Sequence, residues 1–321
     1  MPVLSRRVAV YQVDAFTDRA FGGNPAGVVP DAAGLSEPEM QLIAREMAVS
    51  ETAFVLPPAG PGDLRLRFFT PQAEVDLCGH ATIGAFHLLA ALGRLPGQKE
   101  STRGENLHLR QETAAGLLGV TVRFAPSGEP DRVLMEQAGP QRVISANPKL
   151  ITLLERVLGA GPGELGSLPR YGAAPVEAWS TGLPDILVPV RDLGALRGLA
   201  PDSPALAELS RRLGVISVHA FTLETEEPAA YAHARDFSPV VGIPEEAATG
   251  TASGALAAYL VANRLVPERP AAGFWSLLFE QGHSLGRPSA IEVEVEGQIG
   301  RPAAVRVGGR AVVVLEGTIA W

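Results

Sequence analysis

Apolar and polar positions along this chain alternate between two periods, the two-residue period of β-strands and the 3.6-residue period of α-helices. Residues 8–16 are rich in β-branched and apolar side chains, and Leu64–Phe69 alternates apolar residues with arginines, as half-buried strands do. Between Ser36 and Ala48 the apolar residues share one helical face, and Ser36 with Glu39 forms a capping box. The pattern predicts a strand, a helix and further strands in this part of the chain.

Two later segments, 79–92 and 250–265, are apolar and rich in small residues around their whole circumference, which is typical of helices buried on every side. Two further helices are predicted at Pro148–Leu158 and Ser203–Leu213. The residues around Gly23, in the sequence FGGNPAGVV, are predicted to form a turn. The remaining apolar runs predict strands at 52–56, 107–110, 120–124, 133–136, 171–178, 185–190, 217–223, 231–237, 291–295, 305–307 and 311–315, the last after a Gly308-Gly309 hairpin turn.

The length of 321 residues suggests about two domains, since a domain commonly holds ~100–200 residues. Proline, glycine and polar residues are concentrated at 125–145, which marks a boundary between domains. We therefore expect an N-terminal domain over 1–128 and a C-terminal domain over 129–300. The final strands, over 301–321, are expected to return to the N-terminal domain.

An internal similarity links the two halves of the chain. The segments RFFTPQAEVDLCGHATIGAFHLL and RDFSPVVGIPEEAATGTASGALAAYL share a strand, a Thr/Ser-Pro turn, an acidic loop and a small-residue helix. In this alignment Cys78 corresponds to Thr249, and Gly79 corresponds to Gly250. The repeat predicts two related α+β domains, each built around one apolar helix.

Charge and composition exclude several classes of binding partner. The 27 basic and 35 acidic side chains give a formal net charge of −8, which argues against a nucleic-acid partner. There is no 18-residue apolar run and no signal-peptide pattern at the start, so the sequence predicts a soluble, cytoplasmic protein without a membrane partner.

The single cysteine, Cys78, excludes an internal disulfide, a CxxC redox pair and a two-thiol acid/base mechanism. The only lysines, Lys99 and Lys149, lie in polar surroundings, which argues against a Schiff-base enzyme.

The starts of the two apolar helices are candidate anion-binding sites, because the first N–H groups of a helix have no partner within it and carry partial positive charge. If the two domains face each other, these starts converge on one cleft suited to proton transfer on a small anionic metabolite. The same small residues also occur as ordinary helix caps. From the residues alone, Glu51 is interpreted as a surface charge and Asn24 as a turn residue.

Five segments in order resemble the PhzF-like family, which is named for the phenazine-biosynthesis isomerase. They are VDAFT…FGGNPAGVV, IAREMAVSETAFV, LRFFTPQAEVDLCGHATIGA, FSPVVGIPEEAATGTASGALAAYL and VGGRAVVVLEGTI, and they span nearly the entire chain. The resemblance implies the diaminopimelate-epimerase-like fold. This α+β fold has two pseudo-symmetric domains, each a mostly antiparallel β-barrel wrapped around a central helix. It also implies a homodimer that uses neither cofactor nor metal.

The resemblance further implies a cofactor-free isomerase that shifts a proton on a carboxylate-bearing cyclic metabolite, as in the isomerisation of trans-2,3-dihydro-3-hydroxyanthranilate. Under this hypothesis Glu51 is the acid and base, and His80 and Glu246 assist it. The residues expected to contact the substrate are Asn24, Ser50, Cys78, Gly79, Thr249, Gly250 and Thr251. This chain has Glu246 where the phenazine enzyme has an aspartate, and Thr251 where that enzyme has a serine.

Two alternatives stay open at this point. Cys78 occupies a position that is a catalytic cysteine in two-cysteine epimerases of this fold, but its counterpart here is Thr249. A one-thiol epimerase, racemase or dehydratase acting on an amino-acid-like substrate is therefore the second hypothesis. The third is a catalytically idle protein that binds a metabolite.

Overall fold

The protein is represented by a computed structural model that describes residues 6–99, 102–145, 148–266 and 273–321. The chain forms two compact units. Unit 1 lies within Met1–Glu136 and Gly308–Trp321, and unit 2 within Gln137–Val307. The architecture is mixed, with many β-strands and six α-helices among the described residues.

Unit 1 is a sheet that packs on a buried helix. Its elements are β1 (Arg7–Ala15), β2 (Asn24–Val29), α1 (Glu37–Met47), β3 (Glu51–Leu56), β4 (Leu64–Phe69), β5 (Glu74–Val75), α2 (Gly79–Ala91), β6 (Asn106–Thr113), β7 (Gly116–Phe124), β8 (Pro130–Glu136) and β20 (Ala311–Ala320).

The strands of unit 1 lie in the order β8–β7–β6–β4–β3–β2–β1–β20, with β5 also paired to β4. Two pairings are parallel, β2 with β3 and β4 with β6, and the others are antiparallel. The helix α2 packs against β1, β2, β3, β8 and β20. The residues of α2 from His80 to Phe86 are all buried, which explains why the segment has no polar face.

The helix α1 confirms the predicted face and capping box. Met40, Ile43 and Ala44 are buried in a core shared with β1, β2 and β3. The Ser36 N–H donates to Glu39 Oε2 at 2.8 Å at the start of the helix.

The predicted turn around FGGNPAGVV is wrong in part, because Asn24–Val29 is a strand paired to both β1 and β3. The turn itself is confined to the residues before it. Gly23 has φ +57°, and a Cβ there would lie 2.0 Å from the Ala15 carbonyl oxygen, so only glycine fits. The proline of the segment, Pro25, is accepted inside the strand and is half-buried.

Unit 2 contains one large sheet with helices on both faces. Its elements are β9 (Gln141–Ile144), α3 (Pro148–Leu158), β10 (Ser167–Leu168), β11 (Gly172–Ala173), β12 (Glu177–Ser180), β13 (Pro184–Pro189), α4 (Leu193–Gly198), α5 (Ser203–Leu213), β14 (Ser217–Thr222), β15 (Ala232–Ser238), β16 (Ile243–Glu246), α6 (Gly250–Ala262), β17 (Phe274–Gln281), β18 (Ser289–Gln298) and most of β19 (Arg301–Gly309).

The main sheet of unit 2 has the order β9–β12–β13–β14–β15–β17–β18, with β16 also paired to β15. Alternate side chains of β13 and β14, such as Val188 and Val218, pack with α3, α4 and α5 in one apolar core. The other face carries α6, where the Phe221 ring of β14 meets the Tyr259 ring edge-on with centroids 5.7 Å apart.

The repeat predicted from the sequence has a structural counterpart in each unit. In unit 1, β4 and β5 form an antiparallel pair that leads into α2, and in unit 2, β15 and β16 form such a pair that leads into α6. Both helices contain 13 residues, and the residues that precede them, Cys78 and Thr249, are both extended.

Several element boundaries depart from the sequence predictions. The turn-rich residues 125–129 form the hairpin between β7 and β8, and the first segment of unit 1 ends at Glu136. The expected strand 171–178 is broken into β11 and β12, and α6 ends at Ala262 rather than at 265.

The Gly308-Gly309 pair is not the predicted turn, because both residues belong to β19. A Cβ on Gly308 would lie 1.9 Å from the Val133 carbonyl oxygen, so close backbone approach is the reason for this glycine. The helix α4 and the strand β17 have no counterpart among the predicted elements.

None of the helices in the described ranges combines the length and the apolar character required to cross a bilayer.

Candidate active site

Four of the predicted site residues meet in unit 1, and we call Ser50, Glu51, Cys78 and His80 the Glu51 group. Glu51 is the first residue of β3, and His80 lies in the first turn of α2. The distance from Glu51 Oε2 to His80 Nε2 is 3.2 Å, and that from Ser50 Oγ to the same nitrogen is 3.3 Å. The strand start and the helix start therefore place a carboxylate, a hydroxyl and an imidazole together.

The carboxylate of Glu51 is buried with one oxygen unsatisfied. Its side chain is only 15% exposed, and Oε2 makes no hydrogen bond with the described part of the chain, although it lies near His80. A buried carboxylate oxygen without a donor is costly to keep in a fold, and such an oxygen is an open acceptor for a proton.

The imidazole of His80 is neutral at neutral pH. Burial lowers its pKa, and the nearby Glu51 charge offsets this only in part. A neutral imidazole has one N–H donor and one acceptor nitrogen. With a proton on Nε2, the hydrogen-bond partner of that nitrogen is the Ser50 hydroxyl, and Nδ1, which lies 3.4 Å from Cys78 Sγ, is left to accept from the thiol.

The start of α2 adds backbone donors beside this group. The Thr82 N–H donates to the Cys78 carbonyl at 3.0 Å, and it is the first N–H bonded within the helix. The N–H groups of Gly79, His80 and Ala81 precede it and carry the positive end of the helix dipole. An anionic group of a ligand can bind there.

The Glu246 group lies in unit 2 and consists of Glu246, Thr249, Gly250, Thr251 and Gln281. Thr249 Oγ1 donates to Glu246 Oε2 at 3.2 Å. Gln281 Nε2 donates to Thr249 Oγ1 at 3.1 Å and to the Glu246 carbonyl at 2.8 Å, and Gln281 Oε1 accepts from the Thr249 N–H. Gly250 and Thr251 form the first turn of α6.

Gln281 was not among the predicted site residues. It is fully buried at the end of β17, a strand that is not predicted from the sequence. The glycine that follows it has φ +81° and marks the end of a strand, which is the one local signal that could have indicated this position.

A buried polar cluster lies beside the Glu246 group on the α6 face of the sheet. Ser217 Oγ is 2.8 Å from Asp185 Oδ1 and 2.8 Å from Asp236 Oδ1, and Asp236 is the strand partner of Glu246. Asp236 also accepts from His219 Nδ1 at 2.9 Å and from Ser238 Oγ at 3.0 Å. These residues are at most 4% exposed.

Burial and the neighbouring charge of Asp236 raise the pKa of Asp185 well above its ordinary value. Since one Ser217 hydroxyl cannot donate to two carboxylates, protonated Asp185 donates to Ser217, and Ser217 donates to Asp236. Asp236 is then the carboxylate that accepts from three donors.

Asn24 is buried at the start of β2, opposite Ala15 of β1 and only 4% exposed. In the parallel pairing of β2 with β3, Ala26 is the partner of Glu51, so Asn24 lies on the strand next to Glu51.

The Glu51 group also offers a set of metal ligands. One donor atom each of Glu51, Cys78 and His80 lies within 4.8 Å of the others. A thiolate, an imidazole and a carboxylate are ligands that Zn²⁺ accepts. The expectation that the reaction needs no metal or cofactor stays a prediction.

The family model for phenazine biosynthesis-like proteins, PhzC-PhzF, matches residues 13–317. The chain belongs to this family. An uncharacterised isomerase from Deinococcus radiodurans is 42% identical over 307 residues, covering 95% of this chain and 92% of the relative.

The crystal structure of a PhzF-family phenazine biosynthesis protein from Bacillus anthracis superposes with a TM-score of 0.83 at 33% identity, covering 98% of this chain and 99% of that one. The trans-2,3-dihydro-3-hydroxyanthranilate isomerase of Pseudomonas aeruginosa is 32% identical over 309 residues, covering 95% of this chain and 96% of that enzyme. These matches confirm the resemblance read from the motifs, and the protein is an isomerase of this family.

Proposed function

We propose that this protein is a cofactor-free isomerase that moves a proton between two carbons of a small, carboxylate-bearing cyclic metabolite. Glu51 is the proposed acid and base. The observation that carries this proposal is the buried, unsatisfied Oε2 of Glu51 beside the neutral imidazole of His80. The relative that acts on trans-2,3-dihydro-3-hydroxyanthranilate supports the class of substrate.

In the proposed step, Glu51 Oε2 takes a proton from a C–H bond of the substrate. The electron pair of that bond moves into the adjacent unsaturated system, and Glu51 returns the proton to a second carbon. No electrons are gained or lost overall, so an oxidant is not needed. His80 Nε2–H and the N–H groups at the start of α2 are suited to stabilise the charge that develops on the substrate.

Glu246 and Thr251 are proposed to contribute to the same reaction by binding polar groups of the substrate. The further contacts proposed are Asn24, Ser50, Cys78, Gly79, Thr249 and Gly250. The closed, mostly antiparallel barrel around each central helix is likewise part of this proposal. The homodimer and the cytoplasmic location expected from the sequence stay predictions.

The test is solvent-proton exchange in deuterated water, followed by NMR or mass spectrometry. The probes are trans-2,3-dihydro-3-hydroxyanthranilate and a panel of cyclic carboxylates. We expect Glu51→Gln to lower the turnover of an accepted probe by about 10²–10⁴-fold while leaving its binding intact, because the amide cannot take a proton. Glu46→Gln, which changes an exposed glutamate of α1, is the matched control. Full activity of Glu51→Gln would exclude this mechanism.

A second candidate function uses the thiol of Cys78, because Sγ lies 3.4 Å from His80 Nδ1 and heads the helix α2. Such an epimerase, racemase or dehydratase would be inactivated by iodoacetamide and by Cys78→Ser. The Glu51 mechanism expects Cys78→Ser to keep most of its turnover. A metabolite-binding protein without activity would bind a probe tightly and exchange no deuterium into it.

A further inference from the structure

A separate set of metal-ligating side chains lies in unit 2. Glu226 belongs to the loop between β14 and β15, His233 to β15, and His283 to a short 3-10 helix, His283–Leu285. One donor atom from each of the three lies within 4.8 Å of the other two. None of these residues belongs to the Glu51 group or the Glu246 group.

The ring of His233 is held in one orientation by a carboxylate. His233 Nδ1 lies 2.7 Å from Glu280 Oε1, and both side chains are at most 3% exposed. Glu280 also accepts hydrogen bonds from the N–H groups of Glu226 and Glu227. With Nδ1 hydrogen-bonded to this carboxylate, Nε2 is the ring nitrogen left for a ligand.

The ring of His283 contributes a second nitrogen. Its Nδ1 is buried and has no hydrogen bond with the residues described. The two imidazole rings lie 4.8 Å apart between centroids and are tilted by 43°. A buried ring nitrogen without a partner is costly, and a bound cation would satisfy it.

We propose that Glu226, His233 and His283 form a binding site for a divalent transition-metal ion of the Zn²⁺ class. Two imidazole nitrogens and one carboxylate are a common ligand set for Zn²⁺, whereas Mg²⁺ and Ca²⁺ prefer oxygen ligands throughout. The Glu280 carboxylate behind His233 has the geometry of the outer-shell partner that ligating histidines commonly have. The three donor atoms lie within 4.8 Å of one another, and small side-chain movements would bring them onto one ion.

The charges around the three ligands are compatible with a dication. Glu226 and Glu280 supply two negative charges, and Arg197 Nη2 lies 2.6 Å from Glu226 Oε1. The side chain of Arg197 is 57% exposed, so its ion pair with Glu226 is weak and the guanidinium can turn into solvent. A metal ion would take its place on Glu226.

The experiment is a titration of the metal-free full chain with Zn²⁺ by calorimetry and with Co²⁺ by visible absorption. It is performed on Cys78→Ser, because the Glu51 group could itself bind Zn²⁺ through its thiol. We expect one Zn²⁺ per chain in this background and a Co²⁺ spectrum typical of low coordination number. His283→Ala and Glu226→Gln should each weaken binding at least tenfold, and Glu280→Gln by about 10–100-fold.

The matched control is His108→Ala, which removes an exposed imidazole on β6 in unit 1. Its affinity should equal that of the Cys78→Ser parent. Thermal unfolding without metal shows which variants keep the fold, and Glu226→Gln alters a partly exposed loop residue that the fold tolerates best. Absence of Zn²⁺ binding in Cys78→Ser, or unchanged affinity in both His283→Ala and Glu226→Gln, would overturn the proposal.

Discussion

The buried imidazole of His87 makes the free energy of unfolding of this protein depend on pH. His87 lies on α2, its Nδ1 is buried without a hydrogen bond from the described residues, and burial lowers its pKa to about 4. The unfolded chain takes up a proton near the ordinary histidine pKa of about 6.5. The stability contributed by neutral His87 is therefore present above pH 6.5 and is lost as the pH falls toward 4.

We predict that His87→Leu flattens this pH dependence. At each pH the free energy of unfolding of the variant is compared with that of wild type. The difference, variant minus wild type, should be about 2 kcal/mol larger at pH 5 than at pH 8. Urea denaturation at the two pH values measures the difference, and His108→Leu, on the exposed face of a hairpin, serves as the control. An equal acid sensitivity of His87→Leu and wild type would contradict the assignment.

At the same scale, the sequence could identify the residue types of the site but not their environment. The residues around Glu51 gave no local sign of a buried carboxylate, and only the family motif singled it out. The structure adds that its Oε2 is buried and lies next to His80, which is 29 positions further along the chain. Burial of this kind depends on where β3 and α2 pack, and that is decided by contacts distant in sequence.

At the scale of elements, the register of three strands creates the polar cluster of unit 2. Asp185 of β13 is the partner of Ser217 in β14, and His219 of β14 is the partner of Asp236 in β15. The three strands were largely predicted from their apolar runs. Their register was not predictable, because the parallel pairing of β13 with β14 is set by packing against α3, α5 and α6 rather than by a turn.

This cluster predicts opposite outcomes for two Asp→Asn substitutions. The pKa of Asp185 is raised in the folded protein, so folding disfavours its ionised form. The contribution of Asp185 to the free energy of unfolding is therefore present at low pH and is lost as the pH rises through that raised pKa. Asp185→Asn replaces a protonated carboxyl by an amide that can still donate to Ser217. The Asp185→Asn variant should therefore keep its free energy of unfolding at neutral pH, without the decrease that ionisation of Asp185 causes in wild type.

Asp236→Asn should instead lose about 2–4 kcal/mol across the pH range, because three donors lose their charged acceptor. Chemical denaturation of both variants between pH 5 and pH 8 measures the two effects. The assignment of the proton to Asp185 is wrong if Asp185→Asn is the more destabilised of the two.

At the scale of the whole molecule, unit 1 is completed by a strand from the far end of the sequence. The strand β20 pairs with β1 from Arg7 opposite Ala320 to Ala15 opposite Ala311, with one irregularity near Gln12. The Trp321 N–H and carbonyl also bond to Arg6. The hydrophobic runs near both ends predicted strands, and the closing segment VGGRAVVVLEGTI was part of the family resemblance.

We predict that removing residues 311–321 prevents unit 1 from folding, because β1 loses its pairing with β20, which runs from Arg7 to Ala15, and α2 loses one of its packing surfaces. The expected result is an insoluble protein, or one with protease-sensitive peptides confined to unit 1. Leu315→Ser, which changes a half-exposed side chain of β20, should remain folded. A soluble truncated protein with native thermal unfolding would contradict this prediction.

The pairing of β1 with β20 also sets an order of events during synthesis. Unit 2 is continuous in sequence and can fold as soon as Val307 has left the ribosome. The first strands of unit 1 emerge long before their last partner and must keep an apolar edge unpaired while about 300 residues are translated. We therefore expect nascent chains of this protein to depend on chaperones that bind N-terminal segments, and to become protease-resistant in unit 2 before unit 1.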